Sequence, residues 1–206
     1  MRPFKKAWGW ERFDTFLSKC PKRFLNFWRL WHKCNRPTRL AGAGQIVSSE
    51  PNASRRANAL AFDADQALDP GSQNWREALA DATHGIGFDA VIDAVGSAET
   101  FEHAIAMAAR GGPVLVFGVA PIQTTASVRP YDLFQRELKV VGSFVNPYTH
   151  ERAVSILPQI GLEKLRFDAY SLADFRKAFK APATTMVAAK VEILPQQQKR
   201  QFVLGD

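Results

Sequence analysis

The stretch FDAVIDAVGSAETFEHAIAMAARGGPVLVFGV, residues 88–119, decides the fold. It contains two apolar runs, at 88–96 and 113–119, that predict buried β-strands with a glycine at or near the carboxyl end. Residues 97–112, between them, predict a helix that begins at Ser97 and stops at a glycine pair. Apolar strands that alternate with helices are typical of a parallel sheet that helices cover on both faces.

The same alternation continues on both sides of this stretch. Further apolar runs predict strands at 45–49, 137–144 and 186–194. Helices are predicted at 52–62, 74–83, 149–157 and 171–179, with Asn52 and Ser171 in position to cap two of them. The sequence therefore predicts an α/β fold with a doubly wound, Rossmann-type parallel sheet.

Three predicted strands end in residues that suit a ligand: Glu50, Gly96 and Gly118. Open parallel sheets bind ligands at the carboxyl ends of their strands, where a carboxylate can hold the adenosine ribose hydroxyls of a dinucleotide. A glycine there lets a flat ligand lie on the backbone. Either glycine alone is more simply interpreted as a turn, but together with Glu50 they favour a nucleotide site.

The net charge of +7 is unevenly distributed along the 206 residues. Residues 1–40 hold 11 of the 27 Lys and Arg, 2 of the 20 Asp and Glu, and four of the five tryptophans. This composition changes near Pro37. We therefore expect an atypical basic and aromatic segment at 1–37, followed by the body of the chain at 38–195 and a polar tail at 196–206.

Composition also restricts the class of protein. The chain has no apolar run long enough to cross a bilayer and no secretory signal pattern, which favours a cytoplasmic location. Its two cysteines do not suggest a disulfide scaffold.

Residues 82–119 resemble the cofactor domain of the zinc-type, medium-chain alcohol dehydrogenases. Residues 39–60 are similar to the second strand of that domain, and VNPYTHERA (145–153) is similar to the polyol and threonine dehydrogenase branches. The resemblance covers about 38–195 and implies an NAD(P)-binding Rossmann-like domain over these residues. It implies NAD(P)-dependent hydride transfer between a small-molecule alcohol and a carbonyl, and it makes a homodimer plausible.

The resemblance also implies cofactor contacts. Glu50 would bind the ribose, and Arg55 would lie beside the adenosine. An acid at position 50 favours NAD, with NADP as the alternative, because it repels a 2′-phosphate; Arg55 and Arg56 weaken that preference. The other matching cofactor positions are Ala94, Val95, Gly96, Phe117, Gly118, Val119, Ser143, Phe144, Val145 and Lys190.

Two parts of the family pattern are missing. The family has a catalytic zinc domain before the cofactor domain, but the 37 residues here offer only Cys20, His32 and Cys34, in no familiar ligand spacing. We therefore assign no catalytic residue and no metal ligand. The remaining histidines, His84, His103 and His150, are interpreted as surface or capping residues.

The glycine-rich phosphate loop is the second missing part. The sequence AGAG at 41–44 runs into a strand, so we interpret it as a turn, since phosphate binding needs a helix N-terminus. The first strand of the sheet is accordingly expected to be absent or replaced.

Residues 1–37 leave three interpretations open. FLNFWRLW (24–31) has the spacing of a basic amphipathic helix, which would cover the sheet or, less favoured, bind a membrane, a partner or RNA. The third is a shifted reading frame. The tryptophan codon TGG, read one base later, encodes glycine, so Trp28 and Trp31 would become Gly-x-x-Gly; the first motif glycine, at Asn26, is not recovered. A catalytically inactive nucleotide-binding or oligomerisation remnant is therefore the alternative to an active dehydrogenase domain.

Overall fold

Parallel strands form the sheet that organises the chain up to Gly161. The computed structural model describes residues 23–27, 31–144, 150–161, 167–184 and 190–194. Within these ranges the sheet has six strands: β1 Arg23–Phe27, β2 Gln45–Ser49, β3 Gln66–Leu68, β4 Ala90–Asp93, β5 Pro113–Val116 and β6 Lys139–Gly142. Their order, β3-β2-β1-β4-β5-β6, is that of the Rossmann fold and confirms the predicted fold class.

Helices connect these strands. They are α1 Trp31–Leu40, α2 Ala53–Ala61, α3 Trp75–Ala82, α4 Ala98–Met107, α5 Pro130–Gln135 and α6 His150–Ile160. Capping side chains determine where two of these helices begin. The Asn52 side chain accepts a hydrogen bond from the Arg55 amide and caps α2, and Ser97 and Thr100 form a capping box at α4.

The core lies between the sheet and its helices. Four adjacent strands each contribute a fully buried side chain: Leu25, Val47, Val91 and Val114. Trp75 and Leu79 of α3 and Ile105 of α4 pack into the same cluster. Except for Leu25, these residues belong to the apolar runs and helices that the sequence predicted.

A strand occupies the first position of the sheet, so the expectation that it is absent is wrong; its replacement, the other alternative, stays a prediction. β1 lies between β2 and β4, with Leu25 opposite both Val47 and Val91. Arg23 fixes the amino end of β1. Its amide donates to Asp89 Oδ2 at 2.8 Å, and its guanidinium lies 3.1 Å from Asp89 Oδ1. The helix predicted over 24–31 is wrong at 24–27, which belong to β1, for the same reason. A position between two strands offers ladder hydrogen bonds on both sides, which outweigh helical spacing.

Four further elements differ from the sequence prediction. β3, α5 and β7 (Phe167–Ser171) were not predicted, and the helix predicted at 171–179 instead begins as a 3₁₀ turn, Leu172–Asp174, before α7, Phe175–Thr184. β7 pairs in parallel with β8, Lys190–Leu194, in a second compact unit that follows Gly161. The domain division at residue 37 stays a prediction, and α1 continues across Pro37. The tail at 196–206 lies outside the described residues.

Candidate functional site

The predicted site residues of the first unit lie at one edge of its sheet. Glu50 follows β2, residues 94–96 follow β4, residues 117–119 follow β5, and Ser143 and Phe144 follow β6. Since the strands are parallel, these carboxyl ends share an edge. β1 lies where the strand order reverses, between β2 and β4, and such a switch point is where this architecture forms its ligand crevice.

Glu50 is the best-defined member of the candidate site. Its side chain is completely buried. Its amide donates to the Leu68 carbonyl at 2.9 Å, and its Oε1 accepts from the Asn52 amide at 2.8 Å. The carboxylate is therefore held between the end of β2 and the start of α2.

Two arginines accompany Glu50. Arg55 Nη1 lies 3.9 Å from Glu50 Oε1. Arg56 Nη1 donates to the Glu50 backbone carbonyl at 2.8 Å and forms an ion pair with Asp69 Oδ2 at 2.9 Å. Sequence reasoning missed Asp69. The signal that could have found it is the sequence DPGS at 69–72, whose composition indicates a turn.

Gly96 and Gly118 bring the loops after β4 and β5 into direct contact. Gly96 has φ of +81°, and a Cβ there would lie 2.5 Å from the carbonyl carbon of Val119. A Cβ on Gly118 would collide with the backbone of Val95 and Gly96. The two glycines are thus required by packing between the loops, and their role toward a ligand stays a prediction.

Asp93, which sequence reasoning also missed, ties the same two loops together. Its backbone carbonyl accepts from the Phe117 and Gly118 amides at 2.9 and 2.7 Å. Its Oδ1 accepts from the Val95 and Gly96 amides at 3.0 and 3.2 Å. The side chain is buried, so this part of the edge is set by backbone contacts around one carboxylate.

The loops after β5 and β6 present large apolar side chains to solvent. Val119, Ile122 and Phe144 are 88%, 97% and 82% exposed; we call these three residues the apolar rim. Ala94, by contrast, is buried. Val145 lies outside the described residues. Lys190 begins β8 in the second unit, and its side chain is not described.

Two histidines, His84 and His103, lie away from this edge. His84 is exposed after α3, as predicted, and only the backbone of His150 is described. His103 Nε2 lies 3.0 Å from Arg76 Nη2, and its ring packs edge-on against Trp75. Burial, together with the charge of Arg76, lowers the pKa of His103.

The described residues contain no group of three or more His, Cys, Asp or Glu side chains placed to hold a metal ion. They therefore offer no fit for a zinc ion. None of the helices in these ranges combines the length and hydropathy that crossing a membrane requires.

Comparisons with known proteins agree with this architecture. The family model for zinc-binding dehydrogenases matches residues 38–158. A Pseudomonas protein named "Probable alcohol dehydrogenase" is 37% identical over 105 residues, which are 50% of this chain and 33% of that protein. D-arabinitol dehydrogenase 1 from Uromyces fabae is 26% identical over 164 residues, or 76% of this chain and 46% of that protein.

A solved structure shares the fold. A protein from Sinorhizobium meliloti 1021, described as a zinc-binding dehydrogenase bound to NADP, superimposes with a TM-score of 0.76 at 25% identity, over 88% of this chain and 56% of that one. The chain spans between a third and a half of the length of the two curated relatives above. Because the family model matches more than half of its residues, this chain belongs to the zinc-binding dehydrogenase family.

Proposed function

We propose that this chain forms the dinucleotide-binding part of an alcohol or polyol dehydrogenase and that it binds NAD in preference to NADP. The observation that carries the proposal is the position of Glu50, directly after β2 and beside the strand at which the sheet order reverses. An acid at this point of a Rossmann sheet accepts hydrogen bonds from the adenosine ribose hydroxyls.

The other residues of the edge have supporting roles in this proposal. The backbone at 94–96 passes beneath the adenosine ribose, and 117–119 lies toward the nicotinamide. Ser143 and Phe144 offer backbone groups to the carboxamide, and Arg55 lies beside the adenosine. When bound, the nicotinamide supplies the hydride donor or acceptor.

The preference for NAD follows from charge. A 2′-phosphate replaces the hydroxyl that Glu50 would accept from, and it brings two phosphate negative charges toward a buried carboxylate. The Sinorhizobium protein was solved with NADP, so this fold also accommodates the 2′-phosphorylated dinucleotide.

Binding of NAD, NADP and ADP-ribose to the whole chain, measured by isothermal titration calorimetry, tests the proposal. Glu50→Gln should weaken NAD binding by about tenfold or more, since it removes a charged acceptor of a hydrogen bond. Glu77→Gln is the matched control, because Glu77 is exposed on α3. Equal affinity of both variants and the parent chain for NAD would contradict the proposal.

A catalytically inactive nucleotide-binding remnant is the second candidate. It is favoured by the connection between β1 and α1, Trp28-Arg29-Leu30, since the sequence has no glycine between Gly9 and Gly42. A dinucleotide-binding fingerprint uses three glycines at this connection, for the tight turn, the approach to the pyrophosphate and the packing of helix on strand. Saturable NAD binding without oxidation of alcohols or polyols would support this candidate.

A further inference from the structure

Asp69 is held rigidly at the end of β3. Its Oδ1 accepts from the Gly71 amide at 2.8 Å. Its backbone carbonyl accepts from the amide and the hydroxyl of Ser72 at 3.1 and 2.9 Å. These bonds close a turn around the carboxylate and leave the second oxygen, Oδ2, directed at Arg56, 2.9 Å from its Nη1.

Arg56 is held between Asp69 and Glu50. The nitrogen that pairs with Asp69 also donates to the Glu50 backbone carbonyl at 2.8 Å. The guanidinium is therefore fixed beside the residue to which we assign the ribose. Its side chain is 23% exposed and that of Asp69 is 36% exposed, so water screens the pair only in part.

Charge at this corner is balanced. Glu50 and Asp69 carry two negative charges, and Arg55 and Arg56 carry two positive ones. A guanidinium would otherwise be a suitable donor for a 2′-phosphate, because its fork of N–H groups matches phosphate oxygens. With Asp69 in place, one of the two guanidiniums beside Glu50 is already paired and neutralised.

We propose that Asp69 is a positioning residue for cofactor selectivity: it pairs with Arg56, withholds that guanidinium from a 2′-phosphate and thereby sets the preference for NAD over NADP. The inference rests on the proposed function and adds to it a residue that does not itself contact the cofactor. It predicts that removing the charge of Asp69 releases Arg56 toward the 2′-phosphate.

The test compares the ratio of NADP to NAD affinity in four whole-chain proteins by isothermal titration calorimetry. Asp69→Asn keeps an acceptor for the Gly71 amide and removes the charge, and it should raise the ratio about tenfold, as one charge-assisted hydrogen bond would. The double variant Asp69→Asn, Arg56→Gln should return the ratio to the parent value. Asp81→Asn, the same change at an exposed position of α3, should leave it unchanged.

The ratio separates selectivity from general damage, since a loosened turn weakens binding of both dinucleotides alike. An unchanged ratio in Asp69→Asn, with NAD binding still dependent on Glu50, overturns this inference and leaves the proposed function standing. A raised ratio that persists in the double variant also overturns it, because the increase in NADP affinity then does not depend on Arg56. If every protein fails to bind NAD, NADP and ADP-ribose, both proposals are overturned.

Discussion

The two halves of the carboxyl edge are built differently. The half around the end of β2 is polar, and its groups are bonded within the chain: Glu50 to the Asn52 amide, and Arg56 to Asp69. The half after β5 and β6 carries the apolar rim, whose large side chains are almost fully exposed. The first half is therefore preorganised by its own side chains, while the second exposes apolar surface of the kind that marks an interaction site.

Among changes in the loops of the carboxyl edge, the largest effect should come from the backbone contact beside the apolar rim. Gly118→Ala places a Cβ against the backbone of Val95 and Gly96, which cannot move aside as a side chain can. We expect the free energy of unfolding to fall by about 2–3 kcal/mol, as overpacking of a close contact does. Urea denaturation followed by tryptophan fluorescence measures it.

Gly142→Ala is the control for this change, since a Cβ at Gly142 would meet nothing within 4 Å. Its unfolding free energy should stay within about 0.5 kcal/mol of the parent chain. Equal stability of the two variants would show that this half is not held by its loop contact, and the comparison between the halves would fail.

A smaller loss of stability is expected when the helix cap in the polar half, beside Glu50, is removed. Asn52→Ala removes the side-chain cap of α2, whose bond to the Arg55 amide is 3.0 Å long, and should cost about 1 kcal/mol of unfolding free energy. Asn74→Ala is matched to it, because Asn74 occupies the same position at α3 but makes no side-chain cap bond. Thermal unfolding of both variants should show a lower midpoint for Asn52→Ala alone; an equal loss in both would mean that the cap does not organise the Glu50 loop.

The smallest effect is expected at the apolar rim itself. Ile122→Ala should change the unfolding free energy by less than about 0.5 kcal/mol, because the side chain is 97% exposed. Ile92→Ala, at a fully buried residue of β4, should cost about 3 kcal/mol by the same denaturation assay. A large loss for Ile122→Ala would show that the rim is packed in this chain, and the difference between the halves would disappear.

Sequence reasoning predicted the elements with strong apolar runs and clear caps. β2, β4, β5 and β6 lie inside their predicted ranges because each is a run of apolar residues bounded by turns. β3 escaped prediction because Gln66–Leu68 is three residues long and only half-buried. β1 was mistaken for a helix because its aromatic spacing also suits a helix, and only its neighbours in the sheet decide between them.

Site residues with a local sequence signal were likewise predicted, and those that depend on contacts between elements were not. Glu50 was predicted from its place after a strand, whereas the pairing of Arg56 with Asp69 joins residues from different elements and has no local signal. The shifted-frame hypothesis stays a prediction. Trp28 directly follows β1 and Trp31 begins α1, which is where the fold has its phosphate loop. Deleting residues 1–37 cannot test a membrane or RNA role, since the deletion removes β1.

The central position of β1 has a consequence for how this chain folds. β1 is the first strand in the described sequence, yet one of its two partners, β4, begins 63 residues after β1 ends. β2 can pair with one edge of β1 early, but the other edge has no partner strand until residue 93 has been synthesised. Closing so long a loop is slow, and during that interval the unpaired strand edge is open to aggregation. The rate of refolding of this chain should be limited by the pairing of β1 with β4, which joins the strands β3-β2-β1 to β4-β5-β6.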